Sequence, residues 1–97
     1  MNYCLHPEAE IEFTEAAMYY AEHASNIIAS AFVTEFERVV ALLVLNQKLG
    51  TPANEGLRVY PFRRFPYALV YRENESGPRI YAVSHQSREP RYWQGRL

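Results

Sequence analysis

The chain has 97 residues, of which 48% are hydrophobic and 14% aromatic, and its formal net charge is −1 at pH 7. This length is typical of one domain, and this share of hydrophobic residues argues against a disordered chain. With Cys4 as its one cysteine the chain has no internal disulfide, and no run approaches the ~20 apolar residues of a membrane span. The N-terminus also lacks the pattern of a signal peptide, so we expect a single cytoplasmic domain over residues 1–97 with no membrane partner.

Charge is distributed unevenly along the chain. Residues 1–55 contain eight glutamates against one arginine and one lysine, a net charge of −6. Residues 56–97 contain eight arginines against three glutamates, a net charge of +5. Because the planar guanidinium of arginine binds phosphates and carboxylates in a multidentate way, the basic half indicates an anionic partner. Both RNA and an acidic protein segment fit that description.

The first half of the chain begins with the pattern of a short strand and a helix. The strand is predicted at 2–5, and Pro7 then suits the first turn of a helix, where a missing N–H costs nothing. Apolar residues follow at spacings of three and four, which is typical of one buried helical face. This apolar stripe consists of Ala9, Phe13, Ala16, Tyr20 and Ala24.

A second helix is predicted over residues 26–49. Ser25 and Asn26 can cap its start, and Gly50 and Pro52 stop it, so the two helices form an antiparallel hairpin. Its apolar stripe consists of Ile28, Phe32, Phe36, Val39 and Leu43. Within it, residues 39–45 are apolar around the whole circumference, which indicates burial on all sides. The core is the favoured cover for this turn, and a partner protein is the alternative.

In the second half of the chain the pattern changes to a period of two. After a loop at 51–56, three segments rich in Tyr, Val, Ile and Phe predict strands at 57–62, 66–72 and 79–85. The element order is therefore β-α-α-β-β-β. It predicts an α+β fold in which the helical hairpin lies on one face of a small, largely antiparallel sheet.

Several sequence strings of the basic half resemble a known family. They are Gly56-Leu-Arg-Val-Tyr-Pro-Phe62, Arg64-Phe-Pro-Tyr-Ala-Leu-Val-Tyr-Arg72 and Ala82-Val-Ser-His-Gln-Ser-Arg88, followed by Pro90-Arg-Tyr-Trp93 and Arg96. With the element order, they resemble the ParE/RelE superfamily of bacterial toxins from type II toxin–antitoxin modules, which includes plasmid stabilisation proteins. The C-terminal motif is more similar to the ParE side of the superfamily than to the RelE side.

The resemblance implies a fold, a function and partners. ParE-like members are associated with poisoning of DNA gyrase, so it implies a growth-inhibiting toxin that binds gyrase. It also implies neutralisation by a cognate antitoxin, with which the toxin forms a hetero-oligomer. RelE-like members are associated with cleavage of mRNA on the ribosome, which is the alternative. A further alternative is a non-toxic family member that only binds its antitoxin.

The basic half and the apolar turn supply two sets of candidate contact residues. The candidates for target binding are Arg64, Arg72, Arg88, Arg91, Tyr92 and Trp93, and those for antitoxin binding are Val40, Val44 and Arg72. For the Tyr92–Trp93 pair the favoured interpretation is that it holds a short C-terminal tail to the core, and the alternative is that it anchors a partner.

Catalysis has weaker support in the sequence. Cleaving RNA through its 2′-OH needs a base, an acid and cations on the phosphate, and a nuclease would draw these from His85, Arg64, Arg88 and Tyr92. However, the one lysine, Lys48, lies outside the predicted sheet, unlike the basic residues on the sheet of RelE-like nucleases. His85 has a structural interpretation as the residue that orders the following turn. We therefore favour no catalytic residue.

No cofactor and no metal site are expected. The three histidines are far apart in sequence, aspartate is absent, and no Cys-x-x-Cys or His-x-x-x-His spacing occurs. A glycine-rich phosphate loop is missing as well.

Overall fold

A computed structural model of the chain describes residues 2–97 and shows two helices packed on a five-stranded sheet. The helices are α1 (Pro7–His23) and α2 (Asn26–Leu45), and the strands are β1 (Cys4–Leu5), β2 (Thr51–Pro52), β3 (Leu57–Pro61), β4 (Tyr67–Arg72) and β5 (Arg79–His85). The strand order is β1-β5-β4-β3-β2, and every pair is antiparallel except β1 with β5. The predicted α+β fold is confirmed.

Local capping explains where the helical hairpin begins and bends. The Nδ1 atom of His6 accepts a hydrogen bond from the N–H of Glu8 at 3.1 Å, and Pro7 occupies the first helical position of α1. At the bend, the Ser25 hydroxyl accepts the N–H of Ile28 at 3.1 Å and so starts α2. The predicted hairpin joint is therefore correct.

The end of α2 was predicted four residues too late. The helix ends at Leu45 because Asn46 has an extended backbone (φ −151°, ψ 98°) and its side chain accepts the N–H of Lys48 at 3.0 Å. This capping starts a separate 3-10 turn at Gln47–Leu49. The loop predicted at 51–56 likewise contains the short edge strand β2, which pairs with β3.

The main core lies between the helices and the sheet, and Phe32 is at its centre. The Phe32 side chain is fully buried, and its ring lies 5.2 to 5.8 Å from five other aromatic rings. Those rings belong to Phe13, Tyr20, Phe62, Phe65 and Tyr67. The predicted stripe of α2 faces this core at Phe36, Val39 and Leu43, whereas Ile28 at its start is 39% exposed.

The apolar turn at the end of α2 is covered only in part. Val39, Val40 and Leu43 are buried, as expected for a turn inside the core, but Leu45 is 85% exposed. The prediction of burial on all sides is therefore wrong at Leu45, which is the last residue of α2 and lies at the surface.

A buried tyrosine connects the end of the helical layer to the sheet. The Tyr71 hydroxyl on β4 accepts the N–H of Gly50 at 2.8 Å and donates to the carbonyl of Gln47 at 2.7 Å. A Cβ atom at position 50 would lie 2.6 Å from that hydroxyl oxygen, which is closer than packed atoms tolerate. Glycine at position 50 is therefore what allows this contact.

Candidate functional site

The C-terminal segment, residues 86–97, covers the sheet face that points away from the helices. Four buried side chains form that face: Leu57, Val70, Tyr81 and Ala82. Tyr92 and Trp93 pack against them, and their own rings meet at 5.3 Å. The pair therefore holds the C-terminal segment to the core, which is the interpretation favoured from the sequence. Its role in target binding stays a prediction.

An ion pair between the first helix and the C-terminal segment holds that segment from the other side. Arg96 Nη1 and Nη2 donate to the two carboxylate oxygens of Glu12 at 2.9 and 3.0 Å, and Nη1 also donates to the carbonyl of Tyr81 at 3.0 Å. The Glu12 and Arg96 side chains are 10% and 14% exposed. Such a bidentate, largely buried pair is geometrically specific.

Glu12 also completes the edge of the sheet. Because β1 pairs with β5 only at Arg79 and Ile80, the N–H of Val83 has no strand partner on that side, and Glu12 Oε1 accepts it at 3.0 Å. Burial alone would raise the pKa of Glu12, but the hydrogen bonds from Arg96 and Val83 outweigh it and lower the pKa. The carboxylate therefore stays charged at neutral pH.

Tyr92 lies against two guanidinium groups. The Cζ atoms of Arg88 and Arg96 are 3.9 and 5.1 Å from the centre of its ring, within the range of cation–π contact. Its hydroxyl is buried without a hydrogen-bond partner among the described residues. Burial, with the nearby Glu12 carboxylate, raises the pKa of Tyr92 to about 12. A phenol of such high pKa is a poor proton-transfer group at neutral pH.

The candidate contact residues Arg72 and Arg91 both interact with Glu55. Arg91 Nη2 lies 2.6 Å from Glu55 Oε1, and Arg72 Nε donates to the Glu55 carbonyl at 3.0 Å. The Arg72 guanidinium also lies 5.6 Å from the ring centre of Tyr81. Arg91 remains 48% exposed, so its outer surface is available to a partner.

A cleft of about 370 Å³ lies between α1 and the end of β5, and we call it the His85 cleft. Its polar lining residues are Glu12, Glu15, Tyr19, Tyr67, His85, Ser87 and Arg88. His85 Nδ1 accepts the N–H of Ser87 at 2.9 Å and lies 2.7 Å from its hydroxyl oxygen, so a neutral ring carries its proton on Nε2. His85 thus orders the turn that follows β5.

The structure brings together three of the four residues that a nuclease would use. His85 and Arg88 line the His85 cleft, and Tyr92 contacts Arg88. Arg64 lies instead in a separate groove beside Arg38 and Arg63. The described residues also contain no group of three metal-ligating side chains.

The candidate antitoxin residues lie at different depths. Val40 is 3% exposed inside the core and offers no surface in this conformation, whereas Val44 is half-buried. Val44 and Leu45 line an open groove of about 730 Å³ with 46–48 and 73–75. Leu45 belongs to the apolar run 39–45 of the sequence. Its exposure could not be predicted from that run, because it depends on where α2 ends.

Sequence reasoning missed two structurally important glutamates. Glu12 and Glu35 read as ordinary acidic residues on amphipathic helices, yet each accepts hydrogen bonds from a distant part of the chain. Glu12 and Arg96 are 84 positions apart, so no local spacing could have paired them.

Comparisons with known proteins identify the class to which this fold belongs. The sequence matches a family described as the ParE toxin of the type II toxin–antitoxin system, parDE, over residues 3–90. The chain therefore belongs to the ParE toxin family, as its sequence pattern predicted.

A solved structure supports the fold. A chain of the chromosomal ParDE toxin–antitoxin system from P. aeruginosa is similar with a TM-score of 0.75 and 20% identity. The match covers 88% of this chain and 95% of that one. No curated protein matched the sequence. In the described part of the chain, neither helix has the length and apolar character needed to cross a bilayer.

Proposed function

We propose that this chain is a toxin that arrests bacterial growth by binding DNA gyrase in the cytoplasm, and that a cognate antitoxin neutralises it. Membership of the ParE toxin family supports the toxin role. The binding of a target is supported by one observation: Arg88 and Arg91 of the C-terminal segment are exposed at the surface. The candidate proton-transfer groups are poorly placed for catalysis, since His85 orders the turn after β5 and burial raises the pKa of Tyr92 to about 12.

The target surface is the outer side of the C-terminal segment. Tyr92, Trp93 and Arg96 attach this segment to the sheet and to α1, so its exposed arginines are held in place before a partner arrives. Preorganisation of this kind reduces the entropy lost on binding. Arg72 supports this surface from the sheet, because it contacts both the ring of Tyr81 and the backbone of Glu55.

An in vitro pair of assays tests the target. We expect the purified chain to inhibit DNA supercoiling by gyrase and to leave mRNA intact on ribosomes. Arg88→Glu should weaken gyrase inhibition about tenfold or more, because charge reversal at a contact is repulsive. Arg79→Glu, at an exposed arginine at the start of β5, is the matched control and should be near wild type.

The antitoxin surface is the groove at the end of α2. It combines the exposed apolar side chain of Leu45 with the ammonium of Lys48, which is 73% exposed. Lys48 is already paired with Glu73 at 3.2 Å, and Glu75 adds a second carboxylate, so among the described residues the groove offers an apolar contact and no free positive charge. We therefore propose that an apolar segment of the antitoxin binds there and that the two chains form a hetero-oligomer.

Charge at the groove tests the antitoxin surface. Leu45→Glu should weaken binding of the co-expressed antitoxin about tenfold or more, because it places a carboxylate among apolar and acidic groups. Ile27→Glu is the matched control, since Ile27 is 81% exposed at the opposite end of α2. Equal affinities for the two variants, measured by calorimetry, would place the antitoxin elsewhere.

A ribosome-dependent mRNA endonuclease is the second candidate function. The observation that favours it is the cluster of His85, Arg88 and Tyr92 beside the 370 Å³ cleft. If His85 transfers a proton, His85→Gln should reduce mRNA cleavage by about 10²–10⁴. A gyrase-binding toxin should tolerate the same change. A chain inactive in both assays that still binds its antitoxin would be the non-toxic family member.

A further inference from the structure

The turn between β3 and β4, residues 62–66, presents two neighbouring arginines to solvent, and we call it the arginine turn. Arg63 and Arg64 are both exposed, and Arg64 has a left-handed backbone (φ 67°) that a non-glycine residue seldom adopts. Among residues 2–97, neither guanidinium takes part in an ion pair. Two adjacent charges in a strained turn are therefore left without a partner.

A buried carboxylate holds the arginine turn against α2. Glu35 Oε2 accepts the backbone N–H of Arg63 at 2.6 Å, and Arg38 donates to both oxygens of Glu35 at 2.7 Å. Glu35 is 9% exposed, and the hydrogen bonds from Arg38 lower its pKa despite its burial. Its negative charge is thus bound by Arg38 and a backbone donor, while the side chains of Arg63 and Arg64 remain free.

The three arginines of this region line one groove. Its volume is about 340 Å³, and Ala31, Thr34 and Phe65 complete the lining with Glu35. Three guanidiniums against one carboxylate give the groove a local charge of +2. It is separate from both the His85 cleft and the groove at the end of α2.

We propose that this groove binds a phosphate group. A phosphate monoester carries about −1.5 to −2 charges and three acceptor oxygens, which matches the local charge and lets more than one guanidinium bind the same group. A single carboxylate has one charge and two oxygens, and the carboxylate of Glu35 is bound by one arginine side chain and one backbone N–H. Two sources share this chemistry: a free phosphate compound and the terminal phosphate of a nucleic-acid strand.

The direct test is a titration of the full chain with inorganic phosphate, followed by NMR of the backbone amides and the arginine Nε–H groups. Sodium chloride at equal ionic strength is the reference. We expect saturable shifts at Arg63, Arg64 and Thr34 with phosphate. The Arg63→Gln/Arg64→Gln double variant should bind phosphate about tenfold or more weakly. Arg79→Gln, at an exposed arginine outside the groove, should bind as wild type.

A second arm distinguishes the sources of the phosphate. Short single-stranded DNA is titrated with and without a 5′-phosphate. Binding of only the 5′-phosphorylated oligonucleotide supports recognition of a terminal phosphate on a strand, and binding of neither, beside saturable binding of inorganic phosphate, supports a free phosphate compound. Equal binding of both oligonucleotides would show that backbone diesters suffice and would overturn the monoester proposal. Equal shifts with chloride would overturn the proposal. So would an unchanged response in the double variant, or saturable binding of oligoglutamate without saturable binding of phosphate, which would indicate a protein-docking groove.

This test involves neither gyrase nor an antitoxin. The proposal therefore goes beyond the proposed function and can fail without affecting it. Likewise, a failure of the gyrase assay would leave the phosphate titration unchanged.

Discussion

The two faces of the sheet are covered in different ways. The helix-side face is packed under α1 and α2 in a core of twelve buried residues, and the partly buried rings around Phe32 pack against that core. The far face has four buried residues, covered by the irregular C-terminal segment that Arg96 and Arg91 hold through ion pairs. The comparison indicates that one face sets the stability of the fold while the other carries the proposed target surface. The covering segment can then vary at a smaller cost in stability.

The largest effect is expected on the helix-side face. Phe32→Ala removes a fully buried ring from the centre of the core and should lower the free energy of unfolding by about 3–5 kcal/mol. This is most of the stability of a small domain. Urea denaturation followed by circular dichroism measures it. Ile27→Ala, on the same helix but 81% exposed, is the control and should change stability by at most about 0.5 kcal/mol.

An intermediate effect is expected where the C-terminal segment meets α1. Arg96→Gln leaves the Glu12 carboxylate without its main partner, and we expect a loss of about 1–3 kcal/mol. Glu12→Gln keeps an acceptor for the N–H of Val83 but removes the charge. A double-mutant cycle measures the coupling between the two side chains. Strictly additive losses would show that the pair does not hold the segment.

Acid should act on the same ion pair. The pKa of Glu12 in the folded chain lies below the usual value of 4.5, so its carboxylate stabilises the fold above that pH. This stabilisation is lost as the pH falls below 4.5 through the folded pKa. The stability difference between the wild type and Glu12→Gln should therefore shrink over the acid range below about pH 4.5. A difference that stays constant over this range, in urea titrations at each pH, would contradict the assignment.

The smallest effect is expected at the outer ion pair. Arg91 and Glu55 are 48% and 40% exposed, and an exposed pair contributes about 0–1 kcal/mol. Arg91→Gln should therefore leave the melting temperature nearly unchanged. It should still reduce gyrase inhibition if the C-terminal segment is the target surface. Loss of stability as large as that of Arg96→Gln would mean that the two ion pairs act as one unit.

Much of the fold could be predicted because its signals are local. The cap at Ser25, the proline that starts α1, the apolar spacing of α2 and the alternation in β3 to β5 all arise within a few residues. The predicted element boundaries were wrong where a local signal was overlooked. Asn46 ended α2 before Gly50, and the strand β2 is too short to leave a pattern and contains a proline.

The candidate site was predicted less completely because its contacts are between distant residues. The sequence predicted that arginines of the second half bind partners. It could not show that Arg72 and Arg91 both contact Glu55 or that Arg96 pairs with Glu12. The charge separation along the sequence explains this result. The acidic first half supplies partners to the basic second half, so part of the apparent binding charge is satisfied inside the fold.

The contact between Gly50 and Tyr71 has a consequence for how this chain can vary. Because the hydroxyl fills the space that a Cβ atom would need, a larger residue at 50 requires a smaller one at 71. Without the hydroxyl, the Gln47 carbonyl also loses its donor. Natural variation at the two positions should therefore be correlated, with tyrosine at 71 accompanied by glycine at 50. Homologues would then keep or lose this connection between the helical layer and the sheet by changing both residues together.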